Sequence, residues 1–193
     1  PEGKIVAGVG FTNKDVADNL RGKKGTKVTV GILRNGESEL LDFEIIRDKI
    51  PIYSMDAAYM ATPTTGYIKL NRFAAKSMDE VGGAMDSLRG IGMENLILDL
   101  RGNGGGYLRT AIQLADNFLE DGKLIVYTQG KAYPREEYNS TNKGIFKKGK
   151  LVVLIDEGSA SASEIVSGAI QDWDRGLLIG RKSFGKGLVQ KPF

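Results

Sequence analysis

The sequence predicts an α/β layer protein preceded by a small β-rich unit, on three observations. Short apolar runs alternate with segments of helical period from residue 66 to the C-terminus. Residues 1–50 instead carry two runs of alternating apolar and polar residues with Asn35-Gly36 between them, a hairpin signal. At 193 residues the chain is long enough to bury a sizeable core as one large domain or two small ones.

In order, Thr12 and Asn13 open a helix over Asn13–Leu20 that closes at Gly22. Lys27–Leu33 and Leu41–Ile46 are the two alternating strands. Residues 51–65 carry Pro51, Pro63 and the threonine-rich Thr62–Thr65 stretch, and are expected to connect two domains, 1–50 and 66–193. Beyond them the pattern predicts a strand at Gly66–Leu70, a helix at Lys76–Leu88 and a buried strand at Asn95–Asp99. A helix at Tyr107–Leu119 and a strand at Leu124–Tyr127 follow. A second buried strand covers Leu151–Ile155, and Val166, Ala169, Ile170 and Trp173 give helical spacing to Ser161–Trp173. Leu177–Ile179 reads as a last strand. The lysine-rich segment Lys143–Lys150 reads as a solvated turn.

Composition narrows the chemistry. The apolar share of 41% and charged share of 26% are those of a globular protein, and a net charge of +3 gives no case for nucleic acid or a membrane surface. The chain has no Cys, which excludes disulfides, zinc-thiolate sites and cysteine nucleophiles. It also has no His, which excludes Ser-His-Asp and Cys-His hydrolases and imidazole bases. Acid–base chemistry here belongs to Asp, Glu, Lys or Tyr. No apolar run approaches the ~20 residues of a spanning helix.

Three segments carry candidate chemistry. Asp99-Leu-Arg-Gly-Asn-Gly-Gly-Gly106 runs from a buried strand through a glycine turn toward a helix. Consecutive glycines let the backbone approach a ligand and aim N–H groups at an oxyanion or a phosphate; the plainer reading is a tight turn. Asp156-Glu-Gly-Ser-Ala-Ser-Ala-Ser-Glu164 places a serine among small residues at a helix start. That suits a nucleophile beside free N–H donors, while Ser161-x-x-Glu164 equally fits a capping box that makes Ser161 only an N-cap. Gly180-Arg-Lys-Ser-Phe-Gly-Lys-Gly187 approaches a phosphate-binding loop, but Gly187 stands where Ser or Thr must hold magnesium, and an extended segment replaces the required helix. Lys186 then remains as a surface charge or a general base. A lysine base must be neutral, and desolvation favours the neutral amine. Gln190, four residues on, is placed to hold that amine in line.

Together these segments resemble the C-terminal processing peptidases, or tail-specific proteases, over nearly the whole chain. The resemblance rests on Gly158-Ser-Ala-Ser-Ala-Ser-Glu164, Ser183-Phe-Gly-Lys-Gly-Leu-Val-Gln190 and Asp99–Gly106. It implies a ClpP/crotonase-like catalytic core preceded by a partial PDZ domain, to which Leu20-Arg-Gly-Lys-Lys-Gly-Thr-Lys-Val28 corresponds. It also implies a serine endopeptidase with Ser161 as nucleophile, Lys186 as base 25 residues on, and Gln190 orienting the lysine. Oxyanion donors are implied at Ala162 and a glycine of the turn, Gly105, with Glu164 and Asp172 in supporting places. Gly104 and Ser183 stand where the family usually has proline and threonine.

The resemblance further implies no metal or cofactor, a protein or peptide substrate with an apolar C-terminus, and work in the periplasm or cell envelope. It leaves a homo-oligomer or an activating partner open. The chain starts at Pro1 and stops at Phe193, inside the family's span, so both ends are expected to be cut. The stretch from Ile5 to Phe11 reads as shorter than in the family, and the PDZ carboxylate-binding loop is expected upstream of Pro1. The rival expectation is an inactive protease-like scaffold that only captures peptide tails.

Overall fold

A computed structural model describes residues 5–6, 10–49 and 53–190. Pro1, Pro51 and the Pro192-Phe193 end, which carry the expected cut ends and the start of the connector, lie outside the described residues, as does part of the short stretch before Phe11. The chain divides into two compact units, Pro1–Ile52 and Tyr53–Phe193.

The first unit holds α1 (Asn13–Leu20) and the strands β1 (Lys27–Ile32) and β2 (Leu41–Ile46). Thr12 caps α1 in a box with Asp15, as a Thr three residues ahead of an acid should. The strands pair antiparallel from Lys27↔Ile46 to Ile32↔Leu41. Asn35-Gly36 falls inside a longer connection than a two-residue hairpin, with Gly36 at φ 93° making the turn.

The second unit contains β3 (Met55–Thr62), β4 (Thr65–Leu70), α2 (Ser77–Gly90), β5 (Asn95–Asp99) and α3 (Leu108–Asp116). It continues with β6 (Leu124–Gly130), β7 (Tyr133–Asn139), β8 (Leu151–Ile155), α4 (Ala162–Asp172) and β9 (Leu177–Gly180). The main sheet has the order β3-β4-β5-β8-β9, with β3 antiparallel and the rest parallel. Strand β3 occupies most of the 51–65 segment read from sequence as a connector. It pairs with β4 across the tight Pro63-Thr64 turn. The second unexpected strand, β7, forms a separate two-stranded ribbon with β6.

Because β4, β5, β8 and β9 follow one another across the sheet, right-handed crossovers bring α2, α3 and α4 onto the same face. That face buries the core: Ile68, Leu70, Leu96, Leu98 and Val153 from the sheet meet Val81 and Met85 of α2, Leu114 of α3, and Val166 and Ile170 of α4. The lysine-rich 143–150 segment is anchored by one apolar residue. Phe146 is buried edge-on to Phe118, and the Arg175 guanidinium donates to its carbonyl. On the other sheet face the Asp99 carboxylate, 1% exposed, accepts from the Tyr67 hydroxyl at 2.6 Å and pairs with Arg101 and Lys69. Burial pushes the Asp99 carboxyl up, but the donors of Arg101 and Tyr67 and the Lys69 charge outweigh it and hold it well below the usual carboxylate range.

Leu98 is fully buried at the centre of this core. Leu98→Ala is expected to cost about 2–5 kcal/mol of unfolding free energy through lost burial and a residual cavity. Urea denaturation checks this: the midpoint falls while the slope stays unchanged.

Candidate active site

Strands β5 and β8 are parallel neighbours in register Asp99↔Leu154, so the loops leaving their C-terminal ends run side by side. The end of a parallel sheet is where α/β folds place ligands. The first loop, 100–107, carries the glycine turn into α3. The second, 156–161, carries the serine run into α4. A third segment, 181–190, follows β9 without regular structure and bears Lys186 and Gln190.

Ser161 is the N-cap of α4, but not an ordinary one. Helix N-caps adopt extended backbone angles. Ser161 has φ 55° and ψ −109°, a conformation unfavourable for any residue with a Cβ and one that capping does not require. The plainer reading of this segment is thus incomplete: Ser161 stands at the N-cap position with its N–H held by the Glu164 carboxylate, and it is also held in a strained turn. It borders a cavity of about 890 Å³ together with Lys186, Gln190, Ala162, Gly104 and Gly106. Ala162 supplies the first helical N–H, a donor without an intrahelical acceptor.

The glycine turn packs directly on the serine. A Cβ on Gly105 would lie 3.0 Å from both Ala162 N and Ser161 Cβ, and Gly105 has φ 101°, so only glycine fits there. At Gly106 a Cβ would overlap the Phe73 carbonyl, which accepts from Tyr107 N. The Gly105 N–H donates to Asn103 Oδ1 at 2.9 Å. The N–H groups of Gly104 and Gly106 have no hydrogen-bond partner among the described residues.

Glu164 joins the lysine segment to the serine. Its Oε2 accepts from Ser161 N at 2.8 Å and Lys186 N at 2.8 Å, and its Oε1 accepts from the Ser183 hydroxyl at 2.8 Å and Gly185 N at 2.6 Å. Burial raises the Glu164 carboxyl, but these donors, Lys186 N foremost, bring the net shift below its usual value. Phe184 N adds a bond to the Ser159 carbonyl at 3.0 Å. The Lys186 side chain is exposed at the cavity wall, and its ammonium nitrogen has no hydrogen bond or ion pair among the described residues.

Asp172 is not part of this group. It is the last residue of α4, exposed, and about 15 Å along the helix from Ala162 at 1.5 Å per residue.

Sequence reasoning passed over several residues that build the site. Met78, Leu108, Ile165 and Leu188 give the cavity an apolar wall, and Asp79 and Arg109 give it charges. Asn103 and Ser159 are fully buried and stitch the two loops: Asn103 O accepts from Ala160 N and the Ser163 hydroxyl, and the Ser159 hydroxyl donates to Leu100 O at 2.8 Å. Small polar residues beside glycines were the available signal.

A mixed α/β sheet whose parallel strand ends present a strained serine, a glycine turn and a lysine segment to one cavity has the layout of a hydrolase-type enzyme site. The family profile that matches, over residues 64–193, is peptidase family S41, and the chain belongs to that family. It is 37% identical over 182 residues to a carboxyl-terminal-processing protease of Synechocystis sp., covering 93% of this chain and 42% of that protein. It is 36% identical over 184 residues to a probable CtpA-like serine protease of Staphylococcus epidermidis, covering 94% and 36%. Among solved structures it matches a photosystem II D1 C-terminal processing protease with a TM-score of 0.65 and 30% identity, over 92% of this chain and 49% of that one. The chain therefore spans less than half the length of these relatives.

Proposed function

We propose that the chain is the Ser-Lys part of a serine endopeptidase that cleaves proteins or peptides near apolar C-terminal tails. The observation that carries this reading is the gathering of strained Ser161, Lys186 and Gln190 on one cavity, with the Lys186 segment tied by Glu164 to the backbone of Ser161. In the proposed reaction the neutral Lys186 amine takes the proton from the Ser161 hydroxyl as its oxygen attacks the scissile carbonyl. Gln190 holds the amine in line. The developing oxyanion is held by Ala162 N–H and by the glycine turn, through Gly104 or Gly106 while Gly105 is bonded to Asn103. The protonated lysine then gives its proton to the leaving amine, and water releases the acyl group.

The apolar wall of Met78, Leu108, Ile165 and Leu188 supports an apolar substrate tail. The resemblance supports the finer assignments: a ClpP/crotonase-like core for 66–193 and part of a PDZ domain for 1–50. The helix and antiparallel hairpin of the first unit are compatible with the latter. Relatives from bacteria support a periplasmic or envelope location.

A fluorophosphonate probe tests the reading. Labelling should map to Ser161 by peptide mass spectrometry and vanish in Ser161→Ala, along with cleavage of a peptide ending in apolar residues. Tail binding with no labelling and no cleavage would instead favour the capture scaffold, a reading to which the engaged Gly105 N–H lends some support.

A further inference from the structure

The proton transfer proposed above uses Ser161, Lys186 and Gln190, yet it also needs the glycine turn and the serine loop to keep a fixed spacing. Other bonds between the two loops join neutral donors to carbonyls: Ala160 N to Asn103 O at 3.0 Å and the Ser159 hydroxyl to Leu100 O at 2.8 Å, with the Ser163 hydroxyl of α4 adding a bond to Asn103 O at 2.8 Å. Asp156, the first residue after β8, differs. Its single oxygen Oδ1 accepts from Gly102 N at 2.8 Å in one loop and from Gly158 N at 3.0 Å in the other, with the Ser159 hydroxyl at 3.4 Å. The backbones meet at that point: a Cβ on Gly158 would lie 2.9 Å from the Gly102 Cα. There is no slack between the loops, so whatever sets the Gly102–Gly158 contact also sets where the glycine turn sits against Ser161.

We propose that Asp156 is a positioning residue, a carboxylate clasp that fixes the glycine turn against the Ser161 loop and thereby the distance from the oxyanion donors to the serine hydroxyl. The inference rests on the Ser-Lys reading and adds a residue to it. Bonds to an ionised acceptor are shorter and stronger than those between neutral groups, which suits a joint that must not open when substrate pushes on the turn. The Gly102 N–H, against the opposing effect of burial and with help from Gly158, Ser159 and nearby Arg181, holds the Asp156 carboxyl below its usual range. It is therefore ionised at neutral pH. Since both N–H groups use Oδ1, an asparagine at this position keeps the acceptor and its geometry, whereas an alanine removes it.

The experiment compares D156A and D156N in the whole protein. For D156A, kcat on an apolar-tailed peptide is expected to fall about 100-fold, near the loss of one oxyanion donor, with KM changed less than about 3-fold. A peptide boronic acid, which forms a tetrahedral adduct on the serine oxygen, should bind D156A weaker by about the same factor, while the uncleavable product peptide binds as to wild type. D156N should recover most of that loss, to within about 10-fold of wild type, because the amide oxygen accepts both bonds but without the carboxylate's charge. A purely structural role would lower the melting temperature and both affinities together. Hydrogen exchange of residues 100–106 should speed up in D156A and not in D156N. Wild-type kcat in D156A, or D156N as impaired as D156A, would overturn the inference. A wild-type protein that forms no adduct at Ser161 would instead overturn the Ser-Lys reading, and the exchange rates of residues 100–106 would still decide whether Asp156 clasps the loops.

Discussion

On the proposed Ser-Lys mechanism, Lys186→Ala is expected to remove peptide cleavage almost completely, with kcat falling by on the order of 10⁴–10⁶, as when one member of a nucleophile–base pair is deleted in a serine protease. The chain has no histidine to take over proton transfer. Without the amine the Ser161 hydroxyl must attack unassisted, at the poor nucleophilicity of a neutral alcohol. Ser161→Ala is expected to lose a similar factor, and the double variant to be little worse than either single one, since both side chains serve one step. Lys186→Arg is the sharper substitution. It keeps the charge and much of the length, but a guanidinium stays protonated and cannot accept a proton, so it should be as inactive as the alanine variant. Each variant is assayed by single-turnover cleavage of a tail peptide, with circular dichroism to confirm folding. Lys186→Arg retaining more than about a tenth of wild-type turnover would rule out a lysine base, because that activity exceeds what the oxyanion donors and binding alone supply.

Where local chemistry dominates, the sequence is a sound guide to this fold. Asn95–Asp99 and Leu151–Ile155 are short β-branched and leucine runs with nothing polar to interrupt them, and both are strands with the expected bounds. The helix at Asn13–Leu20 is marked by its own capping residues and also has the expected bounds. The two unexpected strands lack such signals. Strand β3 is Met-Asp-Ala-Ala-Tyr-Met-Ala-Thr, poor in β-branched residues, and is held by pairing with β4 at the sheet edge. Strand β7 contains Pro134 and three charges and lies mostly exposed, so it is defined only by its partner β6.

The candidate site divides in the same way. Ser161, Lys186, Gln190 and the glycine turn could be picked out because short motifs carry them. The bonds from Asp156 to Gly102 and from Ser159 to Leu100 span more than fifty residues. They exist only because β5 and β8 are neighbours, which no local pattern states. The same holds for the bond from Gly105 N to Asn103 Oδ1, a matter of loop geometry that the spacing of glycines leaves open.

Glu164→Ala is expected to cost both stability and rate, less than loss of the dyad does, though its carboxylate takes no part in proton transfer. Four donors converge on it: Ser161 N and Lys186 N on Oε2, the Ser183 hydroxyl and Gly185 N on Oε1. Removing the acceptor leaves these groups to find water or stay unpaired, at a net cost of about 2–4 kcal/mol in stability after allowing for solvent access. It also frees the segment carrying Lys186 from the helix that starts at Ser161, and a base displaced by about 1 Å loses on the order of 100-fold in rate. Glu164→Gln should fall between wild type and alanine. One amide oxygen still accepts two bonds, but the –NH₂ group faces two donors. The glutamine variant also isolates the titration. The folded-state pKa of Glu164 lies below its ordinary 4.5, so its stabilising contribution is complete above that value and disappears as pH falls through the lower, folded-state pKa. Urea unfolding of wild type and Glu164→Gln at pH 7 and pH 3 therefore gives different expectations: a clear advantage for wild type at neutral pH, and a smaller one in acid. An advantage of equal size at both pH values would mean that the four bonds do not depend on an ionised carboxylate, and that Glu164 acts as a spacer and not as the charged tie between Ser161 and Lys186.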